Sequence, residues 1–190
     1  MLLPCALLAL DPTKSIYQLN CATWTRQNGL PANGINAITQ TRDGFLWLGT
    51  QKGLVRFDGV EFKTLDLVGN HVFRNNIVLA LAGSEKGGVW FGLANGAFGF
   101  YSEAAGLAPA PGDPWIRPTT SVNAIHEARD GSLWLGAEEW TARWADGKTN
   151  QTRYFPELQN GMTIYEGQHG RVWLGTFRAH AQTTSYDRAA

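Results

Sequence analysis

Cysteine is nearly missing from these 190 residues: only Cys5 and Cys21 occur, and two thiols cannot staple a disulfide framework. Charge of one sign is missing too. Sixteen basic residues face sixteen acidic ones, for a formal net charge of zero. No lysine or arginine run is present, so the electrostatic footprint of a nucleic-acid binder is absent and nucleic acid is not an expected partner. No apolar run reaches the ~20 residues that a membrane-crossing helix needs. The apolar opening MLLPCALLAL suits the apolar part of a secretory signal, although it lacks the basic residues expected before it. Residues 1–16 read as a truncated signal segment or as a buried N-terminal strand; Pro4 before Cys5 argues against a lipoprotein cleavage site, which prefers a small residue there.

Motifs that carry catalysis or metal binding are also scarce. The four histidines, His71, His126, His169 and His180, lie far apart without a short metal-ligand spacing. There is no Gly-x-Ser-x-Gly elbow, no paired cysteine site and no phosphate-cradling glycine loop. The Asp-Gly pairs lack the alternating carboxylates of a calcium loop and read as turns. No cofactor and no metal are expected. Asn150-Gln151-Thr152 forms a glycosylation sequon to which we attach no function.

What is abundant is glycine, 22 residues, and tryptophan, eight, in a chain that is 44% hydrophobic. RDGFLWLGT at Arg42 to Thr50 joins an Asp-Gly turn to a short apolar run, a hairpin turn followed by a core strand. The pattern recurs as EKGGVWFGL, RDGSLWLGA and QHGRVWLGT, which places Trp47, Trp90, Trp134 and Trp173 at separations of 43, 44 and 39 residues. That period is in or near the range of one four-stranded propeller blade per repeat. In the first repeat, strands are expected at Ile35 to Gln40, Phe45 to Thr50, Leu54 to Phe57 and Val60 to Leu65, separated by Gly-containing turns. The fold class is therefore all-β, with about four four-stranded blades. Residues 17–33 form an outer strand and the entry to the first blade, and the blades span 34–68, 69–112, 113–156 and 157–190. The last is incomplete, since FRAHAQTTSYDRAA has no Asp-Gly exit and no alternating outer strand. Between radially stacked sheets a flat Trp at one fixed position per blade fills the wedge, while Gly allows close backbone approach, so the repeated tryptophans are packing residues.

These residues also carry a family resemblance. NGLPANGINAITQTRDGFLWLGTQKGLVRFDGVEF, from Asn28 to Phe62, resembles the first blade of the two-component regulator propeller family, the periplasmic sensor region of hybrid histidine kinases and some diguanylate cyclases. Asn28-Gly29-Leu30-Pro31 matches the entry to a blade, Arg42 to Thr50 the central motif, and Gly53 to Gly59 the exit. The weaker copies extend the resemblance to about Thr176. It implies a larger seven-bladed ring, followed by a further β domain, a membrane helix and a cytoplasmic output domain, none of which lies in this chain. It also implies that residues 17–26 form an outer strand completing the last blade of the ring.

Function is sought where repeats differ. Entry loops and the loops joining second and third strands share one propeller face, and binding usually lives on loops held by a rigid scaffold. On that face Trp115 and Arg117 sit in the Pro-bounded segment GDPWIRP, and Glu138, Glu139 and Trp140 replace the Gln51-Lys52-Gly53 turn of the first blade. These five are the candidate ligand-binding residues, for a small molecule or an oligosaccharide; the competing reading has Trp115 and Trp140 packing against neighbouring loops. Two function classes stay open. One is a periplasmic ligand-sensing module with no chemistry of its own, the reading that the resemblance implies. The other is a propeller enzyme resembling streptogramin lyases, for which His126 with Glu127 is the nearest local candidate. An incomplete fourth repeat leaves an open blade edge, through which self-association is expected.

Overall fold

In a computed structural model, residues 21–69, 73, 75–109, 120–144, 153–155, 157–176 and 183–186 are described. They form antiparallel sheets laid side by side. Blade 1 contains β1 (Ile35–Gln40), β2 (Leu46–Thr50), β3 (Gly53–Phe57) and β4 (Phe62–Leu65). Blade 2 contains β5 (Val78–Gly83), β6 (Val89–Leu93), β7 (Phe98–Ser102) and β8 (Gly106–Pro109). Blade 3 contains β9 (Val122–Glu127), β10 (Leu133–Ala137), β11 (Thr141–Trp144) and β12 (Arg153–Phe155). Blade 4 contains β13 (Gly161–Glu166), β14 (Val172–Thr176) and β15 (Thr183–Tyr186).

The repeated turn does what its residues favour. In blade 1 the chain reverses at Arg42-Asp43-Gly44, the Gly44 amide donates to the Thr41 carbonyl at 2.9 Å, and Gly44 takes φ +89°. Blade 3 repeats the device, with the Gly131 amide donating to the Ala128 carbonyl at 2.7 Å and φ +80°. A residue with a Cβ is strained at such φ, so the Asp-Gly pair sets where these two hairpins close. Each first strand also carries a register shift near its start, opposite the end of the second strand. Irregularities of this kind bend the strand and increase its twist, and here one recurs in every blade.

First strands stack against first strands, with β1 beside β5, β5 beside β9 and β9 beside β13. Three apolar cores result, and each lies between two blades. The first joins Trp47 and Leu54 of blade 1 to Val78, Val89, Phe91 and Leu93 of blade 2. The second joins Ala80 and Phe98 of blade 2 to Ile125, Leu133, Leu135, Trp140 and Trp144 of blade 3, with Trp90 packed against it. The third joins Trp134 and Phe155 of blade 3 to Val172 and Leu174 of blade 4. The tryptophans of the first three motifs therefore point forward, each toward the next blade. Trp47 and Trp134 are buried, Trp90 is half-buried, and Trp173, with no further blade beside it among the described residues, is 39% exposed.

The tail after Thr176 supplies a third strand to the fourth blade: Thr183–Tyr186 pairs with β14, Val172 opposite Tyr186 and Gly175 opposite Thr183, so blade 4 has three strands among the described residues. One expectation is corrected. The outer strand expected over residues 17–26 is not formed in its described part. Residues 21–25 are irregular and Arg26–Asn28 is a short 3-10 turn capped by Thr25. A strand needs an edge to pair with, and here the segment instead lays Trp24 edge-on against Phe57, ring centroids 5.1 Å apart. The proposed signal segment, residues 1–16, lies outside the described residues.

This packing sets unequal costs for the same substitution. Trp134→Ala, at 1% exposure, is expected to lower stability by about 3–5 kcal/mol, whereas Trp173→Ala costs about 1 kcal/mol or less. Paired urea melts of the two variants check this, and equal losses contradict it.

Candidate functional site

The loop face that carries the candidate ligand residues is built by the second-to-third strand turns and the blade entries. At the β10–β11 turn the Ala137 amide donates to the Trp140 carbonyl at 2.8 Å, closing the chain around Glu138 and Glu139. The turn is pinned to the next entry loop, where the Asn160 amide donates to the Glu138 carbonyl at 2.7 Å and the Thr141 hydroxyl to the Leu158 carbonyl at 2.8 Å. Glu138 and Glu139 project from this fixed backbone as adjacent exposed carboxylates, suited to accepting hydrogen bonds from hydroxyl or ammonium groups. Trp140 does not join them. Its side chain is 7% exposed and packs in the core between blades 2 and 3, which is the packing reading of this residue. Trp115 and Arg117 lie outside the described residues. Of the five candidates, then, the structure brings Glu138 and Glu139 together at the surface and turns Trp140 inward.

The opposite face, at the first-to-second strand turns, holds a polar arrangement between blades that sequence reasoning largely missed. Arg42 on the first turn of blade 1 pairs with Glu85 on that of blade 2. The Trp90 indole of blade 2 donates to Glu127 Oε2 of blade 3 at 2.9 Å. Arg129 in blade 3 donates from its backbone amide to Glu166 Oε2 of blade 4 at 2.8 Å and from its guanidinium to the Gly167 carbonyl at 3.3 Å. Arg143 meets Asp130 at 3.0 Å. A signal was present, since Arg42 and Arg129 occupy the same place in two repeats. Glu127 and Glu166 both end the first strand of their blades, the position that faces the preceding blade.

His126 sits in this arrangement. Its Nε2 lies 3.7 Å from Glu166 Oε2, a charge-pair distance too long for a hydrogen bond, and the Glu166 side chain is 3% exposed. Burial outweighs the attraction of Glu166 and Glu127 and pulls the His126 pKa below its ordinary 6.5. The cavity beside Glu166, walled by Asp130, Trp134, Arg143 and Val172, holds about 10 Å³, room for a single water and not for a substrate. Glu127, the neighbour that made His126 a catalytic candidate, is engaged by the Trp90 indole. His169 is exposed on the blade 4 turn, at φ +65°, and His71 and His180 lie outside the described residues. Among the described residues no three His, Cys, Asp or Glu side chains are placed to share a metal ion, and no helix is long and apolar enough to cross a membrane.

Residues 29–52, which span the blade 1 entry, β1 and β2, match the two component regulator propeller model. The fold is similar to the extracellular domain of the BT4673 one component system of B. thetaiotaomicron, with 24% identity over 81% of this chain and 22% of that one, at TM-score 0.66. It is similar also to the extracellular domain of the BT4673 hybrid two component system of B. thetaiotaomicron, at 23% identity and TM-score 0.67, over 80% of this chain and 21% of that one. The chain thus spans about a fifth of the length of these domains. It is similar also to virginiamycin B lyase of Staphylococcus aureus, at 15% identity over 85% of this chain and 58% of that one, TM-score 0.59. No curated protein matches the chain. At these identities the structures establish the β-propeller fold.

The buried histidine gives stability a pH dependence. Because the folded-state pKa of His126 is depressed, the unfolded chain holds more protons in the interval between that value and 6.5, so stability falls as pH drops below about 6.5. Urea midpoints measured at about pH 7.5 and about pH 5.5 should fall less in His126→Gln than in the unaltered chain. Identical pH dependence in the two contradicts the assignment.

Proposed function

We propose that these blades belong to the extracytoplasmic, ligand-sensing propeller of a bacterial signal-transduction receptor, in the periplasm and non-catalytic in itself. The observation that carries the reading is the regulator-propeller match at residues 29–52, on a fold shared with the extracellular domain of a signalling system. The loop face supports it. Its turns differ from blade to blade, Gln51-Lys52-Gly53 against Glu138-Glu139-Trp140, on strands that otherwise repeat, which is how a rigid scaffold carries a specific surface. Trp115 and Arg117 are proposed to join Glu138 and Glu139 there, for a small polar molecule or an oligosaccharide whose hydroxyls the carboxylates accept.

A second reading, a propeller enzyme, draws on the streptogramin and virginiamycin B lyase structures, which share the fold over most of this chain, and on His126 beside Glu166. The engagement of Glu127 by Trp90 and the water-sized cavity favour the sensing reading.

Thermal-shift screening of the full chain against mono- and oligosaccharides, followed by titration calorimetry, tests the proposal. A bound ligand is expected to lose affinity by about tenfold or more in Glu138→Gln/Glu139→Gln and in Trp115→Ala. Affinity unchanged in both contradicts the site. Lyase activity of the chain on a streptogramin B, abolished in His126→Ala, would replace sensing by catalysis.

A further inference from the structure

The junction between blades 3 and 4 differs from the other two in its polar seam, and we propose that it is a proton-operated joint: uptake of a proton at His126 opens blade 4 away from blade 3 while the other junctions stay closed. The fifth residue of each first strand lies opposite the motif Trp, and these residues are Thr39, Ala82, His126 and Tyr165. The sixth residues are Gln40, Gly83, Glu127 and Glu166. At the first junction Thr39 Oγ1 accepts from the Gly83 amide at 3.3 Å, an uncharged contact. At the second the fifth residue is Ala82, and Glu127 is met by the Trp90 indole instead. Only at the third do these positions bring two ionisable side chains together, His126 Nε2 lying 3.7 Å from Glu166 Oε2.

That contact is unfinished. His126 Nε2 and Glu166 Oε1 are buried, and neither has a hydrogen-bond partner among the described residues. The cavity beside Glu166 removes packing contacts from the same spot. The charged groups around the imidazole are Glu166 on β13, Glu127 on its own strand and Arg129 on the turn that follows, with the Asp130–Arg143 pair beyond Glu166. Strands β5, β6, β10 and β14 carry no titratable side chain, and Tyr165 on β13 is exposed. The two carboxylates favour a proton on His126, but burial outweighs them. Water therefore holds that proton better than the closed junction does, and a junction that opens to water gains it. Acid favours the open form.

The joint reaches the opposite face. The Asn160 amide, directly before β13, donates to the Glu138 carbonyl of blade 3 at 2.7 Å. Opening at His126 therefore also releases the turn that carries Glu138 and Glu139, whichever ligand that surface takes.

Cross-blade amides report the joint directly, because opening frees them without melting a sheet. In the full chain, amide exchange followed by NMR at about pH 7.5 and about pH 5.5 compares Arg129 and Asn160, which bridge blades 3 and 4, with Gly83, which bridges blades 1 and 2. Each rate is corrected for the intrinsic pH dependence of exchange. With an open-state histidine pKa of about 6.5, protonation at about pH 5.5 raises the open population by at most about tenfold. Protection of Arg129 and Asn160 is expected to fall several-fold toward that limit, while Gly83 keeps its protection. In His126→Gln the same amides should be equally protected at both pH values. Should that variant unfold, the imidazole resonances of His126 in the unaltered chain take its place and should titrate below the ordinary 6.5. Protection of Arg129 and Asn160 that ignores pH overturns the proposal, as does an equal loss at Gly83, which marks global unfolding. A pH response retained in His126→Gln, or an imidazole that titrates at its ordinary value or above, does so too.

Discussion

A blade cannot cover its own faces. The three apolar cores of this protein all lie between sheets, and each is grouped from residues of two adjoining blades. Burying a large aliphatic or aromatic side chain contributes about 1.5–3 kcal/mol, so the stability of each sheet is held jointly with the sheets beside it. The motif Trp expresses this most directly. Trp134 and Trp173 occupy the same place in the same motif, yet one is enclosed and the other 39% exposed, because among the described residues only the first has a blade ahead of it.

Polar contacts at the first-to-second strand turns add direction to that stacking. The Arg42–Glu85 pair is largely solvent-exposed and contributes about 0–1 kcal/mol, as surface pairs do. Glu166 differs because its side chain is almost fully buried. A charge in such a place is tolerated only with donors around it, and the Arg129 amide supplies one. Trp90 meets Glu127 by the same logic one blade earlier. Blade order is thus written twice, once in apolar shape and once in donors and acceptors, and both run from one blade to the next.

The result is a scaffold with one face tied and the other available. Hydrogen bonds on the entry-loop side are mostly backbone or backbone-to-side-chain contacts that fix the turns, such as Asn160 to Glu138 and Asn36 to the Val78 carbonyl. They leave the Glu138 and Glu139 side chains at the surface. Rigid turns bearing exposed, variable side chains suit recognition more than chemistry, which asks for groups converging on one enclosed point.

Periodicity alone located the four sheets, because Trp and Gly recur where the strand geometry recurs and a Gly-containing turn precedes each motif strand, as Asp-Gly in the first and third. It also separated packing residues from the variable turns. Three things were not readable from it. Trp140 looked like a surface aromatic beside two charges, and its inward direction follows from a turn closed by the Ala137–Trp140 hydrogen bond. The strand at Thr183–Tyr186 carries no apolar alternation, and forms because the edge of β14 offers unpaired backbone groups. The joining of Arg129, His126 and Glu166 links positions on different blades, a contact that no local pattern encodes. Sequence determined the repeat, since each repeat contains its own turns and strand alternation; tertiary structure decided which side of each repeat is buried, since that depends on whether another blade stands beside it.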